Sequence, residues 1–271
     1  MAVTSSKNIR FTEEIQPTSI CAKNPVLSCC AIAREKIETG DFDAGCAILA
    51  PWWKHGEWPN QKDLDPLAAA ELLLTAGSLT DSVARAKRIV GGQRLAEALI
   101  SGAVALFDLL GENTRAVEAR IELGCCYYHQ GLFEMAHSTL RLCVESLTNE
   151  DCELRAVALI RLAIVERHSG RLHEALRLLQ QVSFLESVIS QWTKGRYETE
   201  MANTLKEFGV AEDKKHYFDR ALGHYKEASL QFEQIGNLRY RRLYFRVHTF
   251  QERLKKCLTM SSRSARFTSV L

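Results

Sequence analysis

Small residues recur in pairs along this chain, with the second member twelve positions after the first and a short polar turn between them. The pairs are Ala33 and Gly45, Gly124 and Ala136, Ala163 and Ala175, and Gly209 and Ala221. A large apolar residue precedes each first member, namely Ile32, Leu123, Leu162 and Phe208. Small residues at this spacing let two antiparallel helices pack closely, and the large residues fill the space between successive pairs. The pattern predicts stacked helical hairpins, which generally bind other molecules and rarely catalyse reactions.

The apolar periodicity predicts five hairpins, each made of a first helix, a short turn and a second helix. Their predicted helices cover residues 26–39 and 42–50, 66–89 and 93–110, 113–130 and 132–147, 151–169 and 171–187, and 193–209 and 217–235. The second hairpin departs from the spacing, because its predicted small pair, Gly77 and Ala98, is 21 positions apart. The turn of the fifth hairpin is predicted over the segment AEDKKH.

The loop at residues 51–65 contains three of the four tryptophans, Trp52, Trp53 and Trp58. Terminal repeats of a stacked array must cover their outer apolar face, so we predict that this loop caps the first hairpin. The alternative is a binding site, since aromatic residues dominate interaction hot spots.

The hairpins resemble tetratricopeptide repeats (TPRs). The third, fourth and fifth hairpins carry the resemblance through Leu123-Gly124, Tyr127, Gly131, Phe133 and Ala136, through Leu162-Ala163, Gly170, Leu172 and Ala175, and through Phe208-Gly209, Phe218, Ala221 and Ala228. It implies an all-α, right-handed solenoid of about five hairpins over residues 25–238. The first-helix small residues recur in steps of 44, 47, 39 and 46, against roughly 34 in the standard repeat. The array is therefore similar to the long-helix arrays that bacteria place before signalling or transcriptional output domains.

In such arrays the first helices line a concave groove, which gives a candidate partner-binding surface. By resemblance, its polar residues are Glu118, Glu122, Tyr128 and His129 from the third hairpin, Arg161, Arg167 and His168 from the fourth, and Asn203, Lys206 and Glu207 from the fifth. Acidic residues precede basic ones along this groove, which suits a peptide that carries both charges. The alternative is a solvated helix face with neighbouring opposite charges.

The sequence lacks the motifs that mark common active sites: it has no phosphate-binding glycine loop and no GxSxG, HExxH or CxxC segment. Glu134 and His137 form a single Glu-x-x-His, and Cys125 and His129 could supply two zinc ligands where a structural site needs four. We therefore predict no enzyme activity, no metal and no cofactor. Chaperone-tail recognition is not expected either, because Val210 replaces the ligand-binding asparagine of that class of TPR domain.

The two ends of the chain differ from its middle. Residues 1–24 are polar and aperiodic, which predicts a flexible leader. Residues 239–271 carry nine Lys or Arg and one acidic residue, although the whole chain has a net charge of only +2. This basic segment is either a helix and tail left by truncation of the array, or an arm that contacts nucleic acid or an acidic partner.

The nine cysteines include two adjacent pairs, which favours a reducing compartment over a secreted disulfide framework. With neither a membrane span nor a signal peptide indicated, the sequence predicts a cytoplasmic bacterial protein. The predicted function is binding of a protein or peptide in the concave groove. The alternatives are a regulatory array separated from its output domain, and nucleic-acid binding through the basic C-terminus.

Overall fold

The computed structural model describes residues 24–148 and 150–236, and within these ranges the chain is built of helices, turns and loops. The helices are α1 Pro25–Thr39, α2 Phe42–Leu49, α3 Pro66–Lys87, α4 Gly92–Leu110, α5 Asn113–His129, α6 Phe133–Ser146, α7 Cys152–His168, α8 Leu172–Ser183, α9 Gln191–Glu212 and α10 Lys215–Gln234. Consecutive helices pair as hairpins, and each hairpin packs on the next along the chain. The predicted all-α solenoid of five hairpins is confirmed. The predicted leader and basic tail lie outside the described residues.

Local capping explains where the helices begin and end. Asp65 caps α3 by accepting a hydrogen bond from the Ala68 backbone N–H, and Pro66 occupies the first turn, where no backbone donor is needed. Gly40 ends α1 with φ near 80°, a conformation that glycine adopts without steric cost. The turns of the first four hairpins therefore lie where glycine predicted them.

The turn of the fifth hairpin lies inside the predicted segment AEDKKH but is shorter than predicted. Helix α9 continues through Ala211 and Glu212, and α10 already begins at Lys215. Asp213 takes the left-handed conformation, with φ of 49°, that Gly40, Gly131 and Gly170 take in three of the other turns. A short polar side chain tolerates that conformation better than most, so the turn closes without the glycine that marks the others in the sequence.

The small residues lie where the helices touch. A Cβ atom on Gly124 of α5 would stand 2.7 Å from Cγ of Leu140 on α6, and one on Gly77 of α3 would stand 2.5 Å from Ile100 on α4. In the second hairpin the close partner of Gly77 is Ala96, whose carbonyl oxygen would lie 3.2 Å from that Cβ. The predicted partner Ala98 is exposed, so that pairing is wrong.

The apolar interior forms two large clusters along the stack. The first joins the first two hairpins to α5, and the second joins α5 and α6 to α7, α8 and the first half of α9. Ile32, predicted to fill the space between pairs, is 45% exposed and contributes little to either cluster. Helix α3 reaches a mean hydropathy of 1.2, and by length and composition it could span a membrane, but 89% of that window is buried inside the fold. A core helix of an array has the same composition.

The tryptophan loop packs onto the first two hairpins. Trp53 is 2% exposed, and its indole N–H donates to the Glu57 carbonyl at 3.0 Å. Trp58 is half exposed, with its ring beside Gly102 of α4. The loop thus covers the outer side of α4 as well as the first hairpin.

Candidate functional site

The first helices of all five hairpins meet around one cavity of about 270 Å³, which we call the groove cavity. Its lining residues come from α1 (Arg34, Ile37, Glu38), α3 (Leu74, Ser78, Asp81, Ser82, Arg85), α5 (Glu118, Glu122, Cys125, His129), α7 (Arg161) and α9 (Trp192, Arg196). Four arginines and four carboxylates therefore face one another in a space that is only partly open. Such a site suits a ligand that carries charges of both signs.

Two residues of the cavity lining, Arg34 and Glu118, belong to an ion-pair network centred on Glu71 of α3. Its carboxylate accepts hydrogen bonds from Arg34 Nη2 at 2.7 Å and from Arg115 Nε at 2.6 Å. Arg115 also pairs with Glu118, which lies 3.8 Å from Arg34. Burial disfavours the charged form of Arg115, but the hydrogen bonds and charges of Glu71 and Glu118 outweigh it and raise the pKa of the guanidinium. This network links α1, α3 and α5 and fixes the arginine heads.

A second network holds His129 against α3. His129 Nδ1 lies 3.0 Å from Asp81 Oδ2, and Arg85 Nε donates to the same oxygen at 3.0 Å. Burial alone would raise the pKa of Asp81, but the hydrogen bond and charge of His129, together with Arg85, lower it. The Asp81 carboxylate is thus a charged anchor in a nearly buried position.

Four of the ten sequence-predicted groove residues line the cavity: Glu118, Glu122, His129 and Arg161. Arg161 Nη2 lies 3.9 Å from Glu122 Oε1, and about a quarter of the Arg161 side chain is exposed. Cys125 also lines the cavity, and burial raises the pKa of its thiol to about 12. The thiol is therefore neutral and poorly nucleophilic, as a packing residue is.

Four more predicted residues meet beside the cavity, around Arg167. Its guanidinium donates to Glu207 at 2.5 Å and to Glu200 at 3.2 Å, so that α7 is joined to α9. The imidazole of His168 lies 3.1 Å from the same guanidinium, and its ring packs on Tyr128 with centroids 5.3 Å apart. Burial and the charge of Arg167 lower the pKa of His168. Tyr128, Arg167, His168 and Glu207 thus share one polar cluster, which we call the Arg167 cluster.

The last two predicted residues do not line the cavity. Asn203 accepts a hydrogen bond from the Tyr225 hydroxyl at 2.6 Å, which ties α9 to its own partner helix α10. Lys206 is half-buried and stands near the C-terminal end of α9, beyond the cavity. The expected order of acids before bases also fails, because Arg34 and Arg85 add positive charge in the first two hairpins.

Sequence reasoning missed the contributions of α1, α3 and α9. Each successive residue of an α-helix is rotated by about 100° around the helix axis. Measured from the small residue that contacts the second helix, every residue that lines the cavity lies between about 40° and 160° around its helix. Arg34, Ser78 and Cys125 each follow that small residue directly, and Glu38, Ser82 and His129 each stand five positions after it. This shared register is a signal that the sequence contained.

For α9 the relevant small residue is Gly195 rather than Gly209. A Cβ atom on Gly195 would lie 2.7 Å from the Phe232 ring of α10, which marks a close helix contact. Arg196 directly follows Gly195, and Trp192 precedes it by three positions. The choice of Gly209 as the reference residue hid both of these cavity residues.

No family model matches the chain, and no curated protein matches it in sequence. Solved structures do resemble it. Pseudomonas aeruginosa PilF superimposes with a TM-score of 0.51 at 15% identity, over 86% of this chain and 97% of PilF. TPR-like repeats of a kinesin light chain type from Podosopora anserina give a TM-score of 0.48 at 18% identity, over 74% of this chain and 96% of theirs. Together with the five stacked hairpins and their shared small-residue register, the likeness to PilF shows that the described chain has the TPR-like α-solenoid fold.

Proposed function

We propose that this protein is a non-catalytic scaffold that binds an extended segment of a partner protein in its concave groove. The convergence of the five first helices on the groove cavity carries the proposal, since residues far apart in sequence place charged side chains in one space. The proposed contact residues are those that line this cavity. The Arg167 cluster extends the surface toward the fourth and fifth hairpins.

The balance of charges indicates the kind of partner segment. Arginines and carboxylates alternate around the cavity and already pair with one another, as Arg34 and Glu118 do at 3.8 Å. A segment with both acidic and basic side chains can replace such loose pairs without leaving either partner uncompensated. A segment of a single charge sign would leave half of these groups without compensation.

The proposal includes a cytoplasmic location, and that part of it rests on the free state of the cysteine thiols. Cys29, Cys30, Cys46, Cys125, Cys126, Cys143 and Cys152 are free thiols, several of them buried, which fits a reducing compartment. The alternative of a regulatory array has the same groove and differs only in what the bound state controls. Nucleic-acid binding would use residues 239–271, which lie outside the described part of the chain.

The test is selection of ligands from a displayed library of random twelve-residue peptides, panned against the full chain. We expect the retained peptides to carry both charge signs. Their affinity, measured by calorimetry, should fall at least about tenfold in Arg161→Glu, because the reversed charge lies partly buried in the cavity.

The matched control is Arg177→Glu, on the outer helix α8, where the side chain is 60% exposed and pairs only with Glu174 among the residues described. It should leave affinity unchanged. Retained peptides that bind Arg161→Glu and wild type equally well would contradict groove binding and point to another surface. Circular dichroism of both variants confirms that helicity is preserved.

A further inference from the structure

A second cavity, of about 780 Å³, lies on the outer side of the array between the second helices α4 and α6. Helix α5 packs against both of these helices and forms the floor of the cavity. No Cα atom of α4 lies within 8 Å of a Cα atom of α6, although both helices are fully described. We call the open space between them the outer groove.

The lining of the outer groove is mainly apolar. Val104 of α4 and both Val117 and Leu123 of α5 are half-buried there, and Leu142 of α6 is 64% exposed. A contiguous apolar surface of this kind marks a place where another molecule binds. The backbone groups in the interior of these helices already pair within each helix, so a partner must be recognised through side chains.

The neighbouring spaces between second helices are filled by side chains of the chain itself. Between α6 and α8, the buried Glu166 carboxylate of α7 accepts a hydrogen bond from Arg171 Nη2 at 3.3 Å and lies 3.1 Å from His137 Nε2 of α6. On the other side of α4, the ring of Trp58 lies beside Gly102. The outer groove, by contrast, stays open, with a volume inside the roughly 300–1,000 Å³ of ligand pockets.

The border of the outer groove is acidic. Five carboxylates and two guanidinium groups line the groove, pair with a lining residue, or are exposed and directly adjoin one: Asp108, Glu112, Glu145, Glu150 and Asp151, with Arg120 and Arg141. Each guanidinium pairs with one carboxylate, at 2.6 Å for Arg120 and 3.0 Å for Arg141. Glu112 and Glu150 are exposed and have no ion-pair partner in the part of the chain that the structure describes. The border therefore carries negative charge that a basic partner would compensate.

The length of the outer groove fits a helix. Along α5 the lining runs from Asn113 to Leu123, ten residue steps or about 15 Å, which is the length of about three helical turns. Apolar side chains spaced three and four positions apart on a partner helix enter such a groove, while the residues that flank them meet its border.

We propose that the outer groove binds an amphipathic helix of a partner protein, with an apolar stripe bordered by Lys or Arg. The stripe packs on Val117, Leu123 and Leu142, and the basic side chains pair with Glu112 and Glu150. This surface is separate from the groove cavity, so this proposal and the proposed function stand or fall separately.

The probe is a fluorescein-labelled synthetic peptide of eighteen residues, with Leu at every third or fourth position and Lys and Ala elsewhere. A matched peptide has Glu in place of each Lys. Fluorescence anisotropy with the full chain should show binding of the Lys peptide and at least about tenfold weaker binding of the Glu peptide. No binding of the Lys peptide, or equal binding of both peptides, would overturn the proposal.

Leu142→Lys puts a charge on the apolar side of the groove and should weaken binding of the Lys peptide at least about tenfold. Val90→Lys is the matched control, because Val90 is 99% exposed between α3 and α4 and the change in net charge is the same. Equal affinity of these two variants would overturn the proposal. If circular dichroism shows that Leu142→Lys loses helicity, Glu112→Lys/Glu150→Lys decides: weaker binding of the Lys peptide and tighter binding of the Glu peptide support the proposal, and unchanged affinities overturn it.

Two other occupants of the outer groove would also overturn the proposal. Self-association of the free chain in sedimentation velocity that disappears in Leu142→Lys would assign the groove to a second copy of the chain. Binding of the Lys peptide only after Arg246→Glu/Arg253→Glu would assign it to the chain's own basic segment, residues 239–271.

Discussion

Replacing Gly124 by alanine tests the helix contact that sets the register of the whole array. The new Cβ atom would lie 2.7 Å from Cγ of Leu140 and 3.0 Å from one of its methyl groups. Leu140 is fully buried, so it cannot swing into solvent. The helices α5 and α6 must move apart, or the leucine must leave its preferred rotamer.

Two opposing terms determine the expected free energy. Alanine favours a helix interior over glycine by about 0.8–1.0 kcal/mol. Overpacking of a tight contact costs about 1–3 kcal/mol. We therefore expect Gly124→Ala to lower the free energy of unfolding by about 1 kcal/mol, measured as a shift in the urea midpoint by circular dichroism.

Gly223 is the matched control, because it also lies inside a helix but a Cβ atom added there would meet no other atom within 4 Å. Gly223→Ala should raise stability by up to about 1 kcal/mol through helix propensity alone. The two substitutions are chemically identical and should act in opposite directions.

Repeating Gly124→Ala in a chain that already carries Leu140→Ala isolates the clash between the new Cβ atom and the Leu140 side chain. Leu140→Ala should cost about 2–5 kcal/mol through lost burial and the cavity it leaves. In that background the obstructing atoms are gone, so Gly124→Ala should become stabilising by about 1 kcal/mol. If Gly124→Ala stabilises the wild-type chain as much as Gly223→Ala does, the close contact between α5 and α6 is not as described.

Three further outcomes are expected. Ala175→Leu should cost about 1–3 kcal/mol in urea unfolding because the site is fully buried, whereas Ser138→Leu on the exposed face of α6 should cost under about 0.5 kcal/mol; the reverse ranking would remove the proposed register. Asp81→Asn should lower the free energy of unfolding by about 1–3 kcal/mol at pH 7. Because the pKa of the folded Asp81 carboxyl is lowered, the difference from wild type should shrink as the pH falls from about 4 through that pKa. A difference that does not change with pH would show that the charge is not involved. Cys126 should resist thiol reagents in the native state and react fully in denaturant, since burial raises the pKa of its thiol; fast native labelling would place it outside the core.

The third and fourth hairpins could be predicted to within a few residues at each helix end. Gly131 and Gly170 mark their turns with positive φ, and small residues occur at the expected positions on both helices. The turn of the fifth hairpin was placed correctly, but its bounds could not be predicted, because Asp213 takes there the conformation that Gly131 and Gly170 take in the third and fourth hairpins. A single sequence gives no signal for an aspartate in the left-handed conformation, since the same residue is common on ordinary exposed surfaces.

The groove was predictable in its middle and not at its ends. Glu122 and Arg161 were found because they stand two positions before small residues that the repeat pattern identified. That residues of α1 and α9 line the same cavity could not be found, because it depends on the curvature summed over five hairpins. Small rotations between successive repeats set that curvature, and the residue pattern within one hairpin does not predict the size of those rotations.

One aligned face of α9 serves two parts of the groove. Gly195 and Gly209, its two close contacts with α10, are 14 residues apart, which is about 40° short of four full turns. Both glycines therefore face α10, and the groove face of α9 stays aligned along its whole length. Its first half presents Arg196 to the groove cavity, while Glu200 and Glu207 further along both pair with Arg167 of α7. Arg196 and Glu207 are eleven positions apart, a span that the 15 residues of α1 would also hold. The alignment of the groove face, rather than added turns, thus lets the last described hairpin line the cavity with one part of α9 while another part binds α7.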